Sequence, residues 1–149
     1  MTNIALLVCR LTLGMLFVFA GIRKLIPTAG TTFPANLQAF VNGAVVPKAP
    51  LPEAISRIYG YSLPFVELLA GALLVVGLLT RLSATLILLM LVSFVLAMGL
   101  NWWPARGPAF SENVILACLA FLLASVGPGR YSMDAGILSK RGAKVARGK

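Results

Sequence analysis

A chain of 149 residues that is 59% hydrophobic and only 11% charged, with a mean hydropathy of +0.93, lies far from the usage of soluble domains and reads as an integral membrane protein. Thirteen lysines and arginines against four acids give a net charge of +9, but no nucleic-acid motif accompanies it, and a basic tail beside apolar helices reports topology. With no histidine and two cysteines that lack a CxxC neighbour, the usual metal and haem ligand sets are excluded.

The first apolar run, residues 4–22, is interrupted by Arg10 and closed by Arg23 and Lys24, giving a first span over about 4–25. No basic residue precedes it, and it exceeds the roughly 7 to 15 apolar residues of a signal-peptide core, so it reads as a retained helix. Arg10, Gly14, Phe17, Gly21 and Lys24 recur at helical spacing and share one stripe. Two charges and two glycines on that stripe predict a face turned toward other helices.

Residues 27–60 carry five prolines, at 27, 34, 47, 50 and 52, and predict a Pro-rich 34-residue loop. Inside it Phe33, Leu37, Phe40 and Val41 fall at helical spacing, consistent with a short amphipathic helix over the bundle mouth. Pro52 followed by Glu53 would open another short helix reaching Tyr59.

The second span, 61–80, holds one carboxylate, Glu67, well inside an apolar stretch. An ionised side chain within the hydrocarbon costs roughly 2.5 to 3.5 kcal/mol by insertion scales, so Glu67 needs a partner or a proton. Gly71 lies one turn away on the same face and admits a close neighbour. Lys24 closes the preceding antiparallel helix, and its long stem would reach Glu67 along Gly21.

Arg81 is expected at a tight turn into the third span, 82–101, where Ser93, Ala97 and Asn101 share a face and Trp102 and Trp103 follow as an interfacial belt. The fourth span, 110–126, begins with Glu112 near the positive end of its helix dipole and stops at Gly127, Pro128 and Gly129. The expected fold is therefore all-α: a four-helix transmembrane bundle over 1–135 with a basic tail over 136–149. Counting lysines and arginines places both termini in the cytoplasm, with the chain in the bacterial cytoplasmic membrane. Lys24, Glu67, Glu112, Arg23 and Arg106 then fall in an outer layer, and Arg10, Arg81, Arg130 and Asp134 in an inner one. In the inner layer Asp134 is expected to clasp arginines that would otherwise repel. Cys9 and Cys118 lie at different depths and are expected as free thiols.

Three stretches together, RLTLGMLFVFAGIRKL, PFVELLAGALLVVGLLTRLSA and the closing GPGRYSMD, resemble the DoxX family of small four-helix bacterial membrane proteins. The resemblance implies a cytoplasmic-membrane bundle linked with quinone-coupled oxidation of sulfur compounds and with complexes that handle oxidative or thiol stress. Many DoxX relatives carry a histidine near the end of the third helix, where this chain has Gly99, Leu100 and Asn101.

Two function classes follow. In the first, the chain is a quinone-interacting membrane subunit or anchor of an oxidoreductase complex. Glu67 and Glu112 then exchange protons, while Lys24, Arg23, Arg106 and Asn101 hold a quinone carbonyl or an oxyanion. In the second, it is a non-enzymatic membrane protein acting in assembly, stabilisation or transport, and Lys24 with Glu67 is a structural pair that fixes helix register. No flavin, dinucleotide or haem signature is present, so redox activity would require a partner subunit carrying the electron-transfer cofactor. The bilayer, oxidoreductase subunits and a second copy of the chain are the candidate partners.

Overall fold

The computed structural model describes residues 2–27, 30–49, 51–98 and 109–137. Among them the chain is all-helical: α1 (Thr2–Leu25), α2 (Phe33–Phe40), a π-helical turn (Val41–Val45), α3 (Glu53–Val76), α4 (Thr80–Met98) and α5 (Ala109–Val126). α1 and α3 are long and apolar enough to cross a membrane, whereas α4 and α5 contribute shorter apolar helices. The described surface carries large apolar side chains, such as Phe19, Leu69, Leu89, Leu96, Ile115 and Phe121, while Arg10 and Glu67 lie inside. That inversion suits hydrocarbon rather than water.

Much of the expected Pro-rich loop is helical. Glu53 does not start a separate short helix; it opens α3, which runs without a break through Gly60 and Pro64 into the apolar span. Gly60 looks like punctuation in the sequence, but it is buried because Val41 and Val45 pack over it, where an added Cβ would meet their methyls at 3.1 and 3.2 Å. α2 buries Leu37, and the turn after it buries Val41 and Val45. These side chains cover the end of the bundle. Asn36 Nδ2 donates to the carbonyls of Lys24 and Ile26 at 3.2 and 3.0 Å, satisfying groups left open at the end of α1.

α1 packs most extensively against α3, and α4 against α5; contact between α1 and α5 is much sparser. Glycine sets the first pairing. A Cβ on Gly71 would lie 2.8 Å from both Gly14 O and Val18 N, and one on Gly21 would lie 2.7 Å from Pro64 O. Backbone therefore meets backbone along an antiparallel seam. Leu13, Phe17, Leu63, Leu74, Ile87, Leu91 and Leu123 fill the core between the two pairs.

The turn from α3 to α4 comes earlier than expected. α3 ends at Val76, and Gly77 closes it in the left-handed region (φ 75°), its N–H bonding Leu73 O at 2.9 Å. Leu79 also has positive φ, 51°. Arg81 is thereby in the first turn of α4, not at the bend. α5 ends at Val126 and is followed by Gly127 with positive φ (94°), after which residues 133–137 form one more helical turn.

Candidate functional site

At the end of the bundle covered by α2, Lys24 Nζ donates to Glu67 Oε1 and Oε2 at 2.6 and 2.5 Å. The carboxylate side chain retains 2% of its exposure and the lysine 22%. Three elements produce this geometry. α1 carries Lys24 on the same stripe as Gly21, the Gly21 and Gly14 contacts bring α3 close, and α2 places the Phe40 ring 5.1 Å from Nζ. The ammonium thus spends its charge on a carboxylate and the face of an aromatic ring.

The pair stands at the head of a cleft of about 600 Å³ lined by α1 and α5, which touch only sparsely, together with Glu67 of α3 and Leu91 and Phe94 of α4. Phe17, Leu91, Phe94 and Leu116 make its apolar walls, and Arg23, Lys24, Glu67 and Glu112 its charged ones. Two cations face two anions, so the cleft is polar at its rim without a net charge. Its carboxylates can exchange protons and its basic groups can hold an oxygen-bearing group. Among the described residues no three His, Cys, Asp or Glu side chains come together as metal ligands.

On the other side of Lys24 lies a second cavity of about 200 Å³, under the π-helical turn. Tyr59 lines it, and its hydroxyl oxygen lies 2.5 Å from Ser93 Oγ. Ser93 donates to Met90 O at 2.7 Å, so the Tyr59 hydroxyl is the donor to Ser93. Tyr59, Phe40, Phe94 and Asn36 were not among the sequence candidates. Phe40 lies on the helical spacing of the short amphipathic segment and Ser93 on the face it shares with Ala97 and Asn101, but neither spacing singles out a site, and Tyr59, Asn36 and Phe94 carry no charge whose burial would demand a partner.

At the opposite end, Arg10 is 3% exposed and donates to the carbonyls of Pro128 (3.0 Å) and Tyr131 (2.7 Å). The expected clasp has a different form. Asp134 accepts from the backbone N–H groups of Leu79 and Thr80, both at 2.9 Å, and caps α4; among the described residues it makes no ion pair with an arginine. Four N–H groups at a helix start lack partners, which makes them strong claimants on a carboxylate, whereas the buried Arg10 guanidinium already donates to two carbonyls. Burial works against ionisation of Asp134, but the Thr80 and Leu79 N–H groups and the positive charge of Arg10 more than offset it and hold its carboxyl below the ordinary aspartate range. Arg81 passes close to Gly127, where an added Cβ would lie 2.9 Å from its Nε. Arg130 takes part through its backbone N–H, which donates to Asn3 Oδ1 at 3.2 Å.

The structure therefore brings Lys24, Glu67, Arg23 and Glu112 to one cleft and separates them from Arg10, Arg81, Arg130 and Asp134. Asn101, Arg106, Trp102 and Trp103 lie outside the described residues. Cys9 and Cys118 are unpaired, and Cys118 is exposed on α5.

Neither a curated protein nor a solved structure matches the chain. A family model, described as methylamine utilisation protein MauE, matches residues 2–124. This overturns the resemblance to DoxX. The quoted stretches are apolar helices punctuated by glycine and arginine, a pattern that close helix packing in a membrane imposes on unrelated families alike. What that resemblance implied about sulfur-compound oxidation and thiol stress goes with it. With the match covering most of its length, the chain belongs to the MauE family.

Proposed function

We propose that this chain is a membrane accessory protein of a methylamine-utilising redox system, acting in the assembly or maturation of its partners rather than carrying electrons itself. The family description supplies the system. The observation that carries the accessory role is the buried Lys24–Glu67 pair at the head of an open cleft whose other charged groups, Arg23 and Glu112, are presented to whatever enters. A fixed pair beside balanced charges that make no ion pair among the described residues suits recognition of a partner segment. In this reading α1, α3, α4 and α5 all cross the cytoplasmic membrane, and both termini face the cytoplasm. With the pair closed, Glu112 is the group that would exchange a proton in the cleft and Arg23 the one that would hold an acceptor oxygen; Glu67 and Lys24 would take those roles only where an entering group opens the pair. A quinone is one molecule with such oxygens.

Deletion of the chain from its host is the test. Growth on methylamine and methylamine-oxidising activity should both fall and be restored by the intact chain, while partner enzyme matured beforehand keeps its activity in membranes lacking the chain. Normal growth after deletion would refute the role. Methylamine oxidation by the purified chain alone would refute it too, and stoichiometric quinone in a lipid extract of the purified protein would favour the oxidoreductase-subunit reading instead.

A further inference from the structure

The smaller cavity, under the π-helical turn, has chemistry of its own. Its walls are apolar (Phe40, Val45, Leu63, Phe94), with Tyr59 at one edge and Lys48 at the rim. Its volume is about 200 Å³, against roughly 150 Å³ for a dry engineered cavity that takes up benzene. The turn that roofs it is built on a widened ring: Val46 N–H bonds Val41 O, five residues back, at 2.9 Å. Such turns cost hydrogen-bond geometry and recur at functional sites. Here the widened turn sets Ala44, Val45 and Lys48 around one opening.

Charge decides what the opening favours. Lys24 also lines this cavity, but Glu67 neutralises it. Lys48 is exposed and makes no ion pair among the described residues. The Tyr59 hydroxyl donates to Ser93 and offers no proton to a ligand. An occupant therefore meets apolar walls below and one uncompensated ammonium above.

We infer that this cavity binds a small apolar carboxylate, one aromatic ring or a chain of similar size, with its carboxylate on Lys48 and its hydrocarbon against Phe40, Leu63 and Phe94. The inference does not rest on the accessory role, and growth on methylamine is no readout of it. Free aromatic or short-chain acids and membrane fatty acids share the same chemistry; the cavity's volume selects the former.

The test uses the full-length protein in detergent micelles, titrated with benzoate, hexanoate, benzamide and palmitate by ligand-observed saturation-transfer NMR, with empty micelles subtracted. Benzoate should bind saturably at one site and be displaced by hexanoate. Lys48→Met should weaken benzoate at least tenfold, and Ala44→Trp, which fills the cavity, should abolish binding without unfolding the bundle. Should Ala44→Trp not fold, Val45→Phe narrows the same space and should weaken benzoate comparably. Benzamide binding as well as benzoate, or benzoate binding unchanged in Lys48→Met or in the cavity-filling variant, would overturn the inference. Palmitate displacing benzoate at tenfold lower concentration would overturn the size class and assign the cavity to a lipid.

Discussion

Removing the lysine of the buried pair tests the central geometry most directly. At the 2.5 Å separation and an effective dielectric constant of about 20, the Coulomb attraction is about 6 to 7 kcal/mol. Much of this is offset by desolvation of the two ions, and Lys24, still 22% exposed, is partly screened. Lys24→Met should therefore cost about 3 kcal/mol, the low end for breaking a buried pair. Part of that loss is the contact with Phe40, worth about 0.5 to 1 kcal/mol. Glu67→Gln alone leaves the ammonium without its counter-charge and should cost less, because Lys24 can turn its head toward the cleft. In a double-mutant cycle the Phe40 contribution cancels, since it is absent from both Lys24→Met proteins. The coupling that remains should be about 2 kcal/mol. Equilibrium unfolding in mixed micelles, followed by helical circular dichroism, measures all four corners. Losses that add to within about 0.5 kcal/mol would show that the two side chains do not interact in the folded protein.

Gly71→Ala places a methyl against the backbone of Gly14 and Val18, which cannot move aside as a side chain would, so α1 and α3 must separate; the same unfolding assay should register a loss of about 2 to 3 kcal/mol. Asp134→Ala removes the cap on α4 and should cost about 1 to 2 kcal/mol at pH 7. Because the folded carboxyl is held below its ordinary value, that stabilisation is present above about pH 4 and fades as pH falls through the folded pKa, so variant and parent should converge in acid. Ser83→Ala deletes a buried hydroxyl with no hydrogen-bond partner among the described residues, and should leave stability unchanged or raise it by up to about 1 kcal/mol; a larger loss would mean the hydroxyl is bonded in the membrane. A reporter active only in the cytoplasm, fused after Lys149, should be active, and an active periplasmic reporter there would invert the proposed topology.

Sequence alone determined the parts of this protein that depend on one helix at a time. Apolar length and composition set the helical class, and 3.6-residue periodicity placed Arg10, Gly14, Phe17, Gly21 and Lys24 on one face. The cost of a lone carboxylate in hydrocarbon identified Glu67 as a residue requiring a partner, and the antiparallel order of consecutive helices made Lys24 the nearest candidate. Family membership was not legible in the same way, because glycine, arginine and leucine on packed apolar helices report the solvent more than the ancestry.

Tertiary structure decided everything that arises between elements. Whether Gly60 interrupts or continues α3 depends on Val41 and Val45 packing over it, and those residues are remote from any periodic pattern in α3. Asp134 chose the backbone N–H groups of α4 over the arginines because the turn at Gly77 brings the helix start within reach, which no spacing along the chain reveals. The cleft and the smaller cavity on either side of Lys24 exist because α1 and α5 touch only sparsely while a widened turn roofs the other side. Empty space is a property of how helices fail to meet, and a sequence records only the surfaces they carry.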